Sequence, residues 1–173
     1  PFGERSAREL LELGVGMMKV ASPELNHGPL LSQLAGYGLP TILSTGVSTL
    51  ADIEKAVNMF RAAGYASADG SCDRLTMLHC VTAYPTPEED YNLNLLHELS
   101  TLFGLPVGVS DHSRHPLLIP ALAASLGAWA VEKHFCLSRS DDGLDDPIAL
   151  PPADFTSMVR AVHEASRGAS YAL

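Results

Sequence analysis

The chain has 173 residues, of which 46% are hydrophobic and 18% are charged. This length fits one domain, and a chain this apolar can bury enough surface to offset its ordering entropy, which excludes intrinsic disorder. The 11 Lys and Arg residues against 20 Asp and Glu residues give a net charge of −9. We expect no nucleic-acid partner, because no basic stripe is present to release counterions. The three cysteines show no close pairing pattern, so we expect no disulfide framework and a reduced, cytoplasmic protein.

The longest uncharged segment, residues 116–131, is interrupted by a proline, a serine and a glycine. Its 16 residues are too few to span a bilayer, and we expect no membrane partner. The segment instead predicts a buried helix followed by a buried strand. The chain begins at Pro1, and no strand precedes the helical pattern of residues 6–13. We therefore expect a piece of a longer protein.

Five short apolar runs alternate with amphipathic helical patterns. The predicted strands cover residues 17–21, 40–43, 75–78, 106–109 and 128–131. The later helices are predicted at residues 49–60, 95–103, 116–126 and 152–165, the first of them capped by Thr49 and the second ended by Gly104. Continuously apolar strands are typical of parallel sheets that are covered on both faces, and strand–helix alternation indicates right-handed βαβ units.

Two architectures fit this alternation, an open doubly wound sheet and a (β/α)8 barrel. No glycine-rich phosphate loop follows any predicted strand, which disfavours the open sheet. Five units are fewer than the eight of a barrel. The pattern therefore favours an α/β fold that forms part of a barrel.

Polar residues stand at or just after the end of every predicted strand. In barrel enzymes the active site is built from these carboxyl ends and from the loops that follow them. The residues are Lys19, Ser22, Glu24, Ser44, Thr45, His79, Tyr84, Ser110, Asp111, His112, Glu132, Lys133 and His134. We expect them to converge on one pocket.

His112 and His134 close successive strands, which would bring two imidazoles together. Neutral imidazole is a good ligand for divalent transition metals, and nearby carboxylates would complete a mixed nitrogen and oxygen site. Each histidine could instead be a hydrogen-bonded residue at a strand end. Both interpretations stay open on the residues alone.

Lys19, Ser22, Ser44 and Ser110 supply one cation and three hydroxyls that could hold a phosphate. Each serine could alternatively cap a helix or satisfy a strand end. Glu24 and Asp145 could bind substrate hydroxyls or act as acid or base, although the acidic run around Asp145 is also typical of a solvated loop.

His79 and Cys80 are a poor base and nucleophile, because adjacent strand residues point to opposite sides.

Six motifs carry a resemblance to a known family. They are Lys19-Val-Ala-Ser22, Leu43-Ser-Thr-Gly46, Leu78-His-Cys80, Tyr84-Pro-Thr-Pro87, Val109-Ser-Asp-His112 and Glu132-Lys-His-Phe135. Their order and spacing resemble the sialic acid (N-acetylneuraminate) synthase family of phosphoenolpyruvate-dependent nonulosonate synthases. The resemblance covers nearly the whole chain, which would be the C-terminal part of the family's barrel domain.

The resemblance implies a partial (β/α)8 barrel over residues 1–173, containing family strands four to eight. It implies a transferase that condenses phosphoenolpyruvate with an N-acylated amino sugar, such as N-acetylmannosamine, and releases phosphate. The resemblance implies that His112 and His134 bind a metal. It implies that phosphoenolpyruvate is bound by Lys19, Ser22, Ser44 and Ser110. The sugar would be contacted by Glu24, Tyr84 and Asp145. Among these, the catalytic set is Lys19, Glu24, Tyr84 and Asp145. The implied cofactor is Mn²⁺, with Mg²⁺ or Co²⁺ as alternatives.

Several parts of the family pattern differ here. Thr82 stands where sialic acid members carry Asn, which leaves the amino sugar open. We expect the first three strands and the C-terminal antifreeze-like domain to be absent from this chain. We therefore expect it to form a homo-oligomer that buries its open edges, and to lack synthase activity by itself.

The alternatives are another phosphoenolpyruvate aldol synthase on the same barrel and a catalytically silent half-barrel that binds a partner.

Overall fold

The computed structural model describes residues 1–67 and 72–169, and in these residues strands and helices alternate as predicted. The strands are β1 (Met18–Val20), β2 (Thr41–Ser44), β3 (Leu75–Cys80), β4 (Val107–Asp111) and β5 (Val131–Lys133). The α-helices are α1 (Glu4–Glu12), α2 (Gly28–Tyr37), α3 (Leu50–Phe60), α4 (Leu95–Phe103), α5 (Leu118–Ser125) and α6 (Pro152–Ala169). Two 3-10 helices cover Ser22–Asn26 and Glu88–Tyr91, and a π-helical turn covers Arg61–Tyr65.

The sheet has the strand order β1-β2-β3-β4-β5, so the predicted sequence order is confirmed. The pairs β1–β2, β2–β3 and β4–β5 are parallel. Parallel strands end at the same edge of a sheet, so the residues at the carboxyl ends of paired strands become neighbours. This property positions the candidate site.

The chain divides into two compact units. The first consists of Pro1–Leu78 and Leu99–Pro106, and the second of His79–Glu98 and Val107–Leu173. In the first unit α2 packs against α3, and Leu34 of α2, Leu43 of β2 and Phe60 of α3 are completely buried.

In the second unit α5 packs against α6. Val109 of β4 and Ala123 of α5 are completely buried. In α6, Met158 is buried and Val159 is exposed. The helix is also four residues longer than predicted, because it continues to Ala169.

The fifth strand lies later than the apolar run at residues 128–131 predicts. Gly127 adopts a left-handed φ of 84°, and the Ala128 N–H donates to the carbonyl of Ala123 in α5. The end of the helix therefore takes up Ala128. Trp129 and Ala130 already exchange hydrogen bonds with β4, and β5 itself begins at Val131. Glu132 and Lys133, which were predicted to follow the strand, lie inside it. The other four predicted strands match the observed ones to within two residues at each end.

A reciprocal capping box begins α3. The Thr49 hydroxyl accepts from the Asp52 N–H at 3.3 Å, and the Asp52 carboxylate accepts from the Thr49 N–H at 2.9 Å. Both N–H groups would otherwise lack partners at the helix start. At the other end of a helix, Gly104 follows α4 with a left-handed φ of 61°. The predicted cap and the predicted stop are both confirmed.

His79 is a buried histidine on β3. Its Nε2 bonds to the carbonyl of Tyr91. Burial lowers the pKa of His79, and the hydrogen bond to Tyr91 only partly opposes this effect. The folded protein therefore favours the neutral imidazole.

Replacing Thr49 with alanine is expected to lower the free energy of unfolding by about 1 kcal/mol, because the Asp52 N–H loses its acceptor. Urea unfolding followed by circular dichroism measures this change. Thr101→Ala is the matched control, since Thr101 is exposed inside α4, where alanine is the better helix former. Equal stability of the two variants would contradict the capping role.

Acidification below pH 6.5 is expected to destabilise the protein through His79. The unfolded chain takes up a proton near the ordinary histidine pKa, whereas the folded chain does so only at lower pH. Stability is therefore lost as the pH falls, with a slope of at most about 1.4 kcal/mol per pH unit for one proton. His79→Gln should flatten the slope measured by urea unfolding between pH 7.5 and pH 5.5. His97→Gln, at an exposed position of α4, should leave the slope unchanged, and equal slopes in all three proteins would refute the assignment.

Candidate active site

Lys19 and Ser44 lie on one face of the strands of the first unit. Lys19 of β1 pairs with Ile42 of β2, and Ser44 is two residues beyond Ile42. Because side chains alternate along a strand, Ile42 and Ser44 point to the same side as Lys19. One ammonium group and one hydroxyl are thus presented at the carboxyl ends of neighbouring strands.

The hydroxyl oxygen of Ser44 is buried and has no hydrogen-bond partner among the residues that the structure describes. A buried polar atom without a partner costs free energy, so this oxygen is suited to meet a ligand. The Ser22 hydroxyl accepts from the Gly46 N–H at 3.0 Å, which leaves its own O–H free to donate to another group. Both serines retain the capacity to donate to phosphate oxygens.

Glu24 lies in the 3-10 helix after β1, and its carboxylate is 3.0 Å from Nδ1 of His27. The glutamate is half-buried, and its partner comes from the same turn. Sequence reasoning gave His27 no role, and the structure shows that it orients this carboxylate. The predicted contact of Glu24 with the sugar stays a prediction.

Three rings form one cluster in the second unit. The ring centroids of His112 and His134 are 5.3 Å apart, and the Tyr84 ring stacks on His112 with centroids 4.1 Å apart. Tyr84 also meets His134 edge to face at 5.8 Å. We call Tyr84, His112 and His134 the three-ring cluster. The structure thus brings together the two predicted metal ligands and the tyrosine predicted to contact the sugar.

The polar contacts of the two imidazoles show which ring nitrogen of each faces a protein oxygen. Nδ1 of His112 donates to the Val81 carbonyl at 2.9 Å, and because a carbonyl oxygen only accepts, the lone pair resides on Nε2. Nδ1 of His134 faces the Asp145 carboxylate at 3.4 Å. Burial lowers the pKa of His112, and the neighbouring His134 lowers it further. Neutral imidazole with its second nitrogen directed at an oxygen is the form that binds metals.

Ser110 and Glu132 extend the site along β4 and β5. They are paired in the register of the two strands, and the Ser110 hydroxyl donates to the Glu132 carboxylate at 2.8 Å. The same hydroxyl lies 3.3 Å from Nε2 of His112. Sequence reasoning placed Glu132 at the strand end but assigned it no role. The signal that could have identified it is its position two residues before His134, which matches that of Ser110 before His112.

The residues present fit a divalent metal with an incomplete set of protein ligands. Two imidazoles are available, with the carboxylates of Asp145 and Glu132 in their surroundings. In the described parts of the chain, no group of three or more His, Cys, Asp or Glu side chains is arranged to hold a metal ion. Water or substrate would therefore have to supply the other ligands, as is usual for an open catalytic site.

His79 and Cys80 have separate partners. His79 bonds to the Tyr91 carbonyl, whereas the Cys80 sulfur is 4.0 Å from Nδ1 of His112. The two side chains therefore do not form the base and nucleophile pair that sequence reasoning disfavoured.

The other face of β4 and β5 carries Asp111 and Lys133, which were predicted to converge on the pocket but instead form an ion pair with each other. Nζ of Lys133 is 2.7 Å from the Asp111 carboxylate, and both side chains are completely buried. Burial lowers the pKa of Lys133, and the carboxylate of Asp111 opposes that effect. The partners are 22 residues apart, so no local pattern in the sequence links them.

In the residues described, no helix has both the length and the apolar character needed to cross a membrane.

Comparisons with known proteins show which family the chain belongs to. The model of the NeuB family matches residues 1–171. An uncharacterized protein of Methanocaldococcus jannaschii is 39% identical over 153 residues, which are 88% of this chain and 43% of that protein. An N,N'-diacetyllegionaminic acid synthase of Legionella pneumophila is 34% identical over 164 residues, which are 95% of this chain and 45% of that protein. The chain therefore spans about half the length of the curated relatives that it matches.

A crystal structure of the N-acetylneuraminic acid synthetase of Leptospira borgpetersenii, in complex with citrate, superposes on the chain with a TM-score of 0.91 and 32% identity. The match covers 100% of this chain and 57% of that one. The predicted fold class, α/β with five parallel strands of a partial (β/α)8 barrel, is confirmed. With a family model that covers nearly every residue and these relatives above 30% identity, the chain belongs to the NeuB family.

Proposed function

We propose that the protein takes part in a nonulosonic acid synthase reaction, in which phosphoenolpyruvate condenses with an N-acylated amino sugar and phosphate is released. The observation that carries the proposal is the three-ring cluster, with Ser110 beside it. A stacked tyrosine, two metal-competent imidazoles and a hydroxyl at adjoining strand ends support binding of a polar, oxygen-rich substrate. Membership of the NeuB family narrows the class of reaction.

The proposed chemistry forms one carbon–carbon bond. C3 of phosphoenolpyruvate attacks the aldehyde carbon of the open-chain sugar, and the oxygen of a water molecule adds to C2. The tetrahedral intermediate then expels inorganic phosphate by cleavage of the C2–O bond, which leaves the 2-keto acid. Water supplies the new carbonyl oxygen, so the atoms of the two substrates and water balance those of the product and phosphate.

In this scheme, the residues of the first unit bind the phosphate and carboxylate of phosphoenolpyruvate. Lys19 contributes a positive charge, and the hydroxyls of Ser22 and Ser44 donate hydrogen bonds. The predicted contact of Ser110 with phosphoenolpyruvate stays a prediction. These groups carry charge or dipoles in fixed positions, so they stabilise the phosphate throughout the reaction and hold C3 in place. The oxygen of Ser44, which is buried and has no partner among residues 1–67 and 72–169, supports this role.

We assign the residues of the second unit to the sugar. A metal ion bound by His112 and His134 would supply Lewis-acid polarisation of the aldehyde oxygen. Tyr84 offers a half-exposed aromatic side chain with a hydroxyl, and Asp145 offers a carboxylate beside His134. Glu24 is proposed to accept hydrogen bonds from sugar hydroxyls. The relatives include synthases named for legionaminic acid and for sialic acid, and N-acetylmannosamine is the sugar that we propose to test first.

The metal assignment predicts that the protein binds Mn²⁺ and that His112→Ala or His134→Ala weakens binding at least about tenfold, because an imidazole ligand is lost. Electron paramagnetic resonance of free Mn²⁺ in a titration with protein measures the affinity. His97→Ala, a matched substitution on the exposed side of α4, should bind as the unsubstituted protein does. Unchanged affinity in the His112→Ala/His134→Ala double variant would refute the site and favour a silent half-barrel.

The substrate assignment predicts phosphate release from phosphoenolpyruvate in the presence of Mn²⁺ and N-acetylmannosamine, by a protein that contains this chain together with the rest of the barrel. Arabinose 5-phosphate and erythrose 4-phosphate are the comparison substrates, because the alternative aldol synthases act on sugar phosphates. Ser44→Ala should raise the KM for phosphoenolpyruvate more than that for the sugar. A preference for a sugar phosphate would contradict the proposal.

A further inference from the structure

We propose that the buried Asp111–Lys133 ion pair is a positioning pair, which fixes the His112 and His134 imidazoles relative to each other. This inference rests on the proposed function, since it assigns the pair to the same site. Neither residue faces the site, so both would act through the histidine that follows each of them in the chain.

Strand pairing connects the ion pair to the site. Asp111 and Lys133 are opposite each other in the parallel register of β4 and β5. His112 and His134 are the next residues along each chain, and because side chains alternate, they lie on the other face. Any slip or change in separation at Asp111 and Lys133 therefore moves both imidazoles.

The side chains of Asp111 and Lys133 are fully buried, and both charged groups have hydrogen-bond partners. Asp111 accepts hydrogen bonds from Nζ of Lys133 at 2.7 Å, from the Tyr91 hydroxyl at 2.8 Å and from the Ser113 N–H at 2.8 Å. Nζ of Lys133 also donates to the carbonyl of Ser113. The two charged side chains thus join β4 to β5 and hold the loop at Ser113 through short, directional hydrogen bonds.

The same network holds the backbone of His112. The Tyr91 hydroxyl accepts from the His112 N–H at 2.6 Å while it donates to Asp111. The Thr86 N–H donates to the His112 carbonyl at 3.1 Å. With the ring bonded to Val81 as well, His112 is held at its N–H, its carbonyl and its imidazole.

Stability alone is a poor reason for this arrangement. Desolvation of two charges cancels much of their attraction, and well-packed apolar residues of similar volume often stabilise a protein as well or better. Apolar contacts are non-directional, however, and tolerate small shifts. A charged pair with satisfied hydrogen bonds sets a separation, and partners that orient metal ligands typically change metal affinity by about 10- to 100-fold when they are lost.

The test removes both charges together. In Asp111→Asn/Lys133→Met, the asparagine can still accept from Tyr91 and Ser113, and methionine fills the volume of the lysine stem, so neither charge is left buried alone. We expect the dissociation constant for Mn²⁺, measured by electron paramagnetic resonance, to rise at least about tenfold, while circular dichroism shows a folded protein. Arg5→Met/Glu9→Gln removes an ion pair of α1 with the same change of charges and should leave the constant unchanged.

A second readout requires no metal. Nitrogen-15 spectra of the imidazoles should show His112 of the unsubstituted protein with its proton on Nδ1, as the bond to Val81 demands. The double variant should show a mixture of tautomers or an exchange-broadened signal. If it does not fold, Tyr91→Phe, which deletes only the hydroxyl between Asp111 and the His112 N–H, should give the same change in the His112 signal.

The outcomes separate this inference from the proposed function. Absence of Mn²⁺ binding in the unsubstituted protein overturns the metal site, and the inference with it. Mn²⁺ binding that stays the same in a folded double variant, together with an unchanged His112 spectrum, overturns the positioning role and leaves the metal site standing. Where only Tyr91→Phe folds, an unchanged His112 spectrum in that variant has the same meaning.

Discussion

The in-register parallel pairing of β4 with β5 is the constraint on which the candidate site of the second unit depends. It places Ser110 opposite Glu132 and Asp111 opposite Lys133. Because side chains alternate along each strand, one pairing produces two different faces. The first face carries the Ser110 hydroxyl, the Glu132 carboxylate and the two imidazoles. The second face carries the buried ion pair. A shift of one residue in either strand would exchange the roles of the two faces.

Much of this architecture could be predicted because its signals are local. Each apolar run ends in polar residues, and that boundary identified His112, Ser110 and Ser44 before any tertiary contact was known. The Thr49 capping box and the stop at Gly104 are likewise encoded within four residues. The start of β5 was misjudged because the end of α5 takes up part of the apolar run, which periodicity does not reveal.

The remaining features depend on contacts between distant residues. The sequence predicts Lys133 at a strand end facing the pocket, but its side chain is buried on the other face beside Asp111, which lies 22 residues earlier. Tyr91 lies in a 3-10 helix, yet its hydroxyl joins Asp111 to the backbone of His112. The roles of Glu24 and Asp145 were inferred from resemblance. In the structure each carboxylate lies beside a histidine, Glu24 beside His27 and Asp145 beside His134. These contacts orient the two carboxylates.

The unpartnered hydroxyl of Ser44 has a consequence for evolution of the fold. This buried oxygen has no hydrogen-bond partner among the described residues, and such an oxygen lowers the free energy of unfolding. Selection for thermostability alone would favour alanine at this position, since alanine removes the unmet group at little cost in volume. A lineage that keeps serine there accepts a less stable fold in exchange for a group that a ligand can satisfy. If phosphoenolpyruvate satisfies this hydroxyl, as we propose, the position is a compromise between stability and ligand recognition, of the kind that concentrates in binding sites.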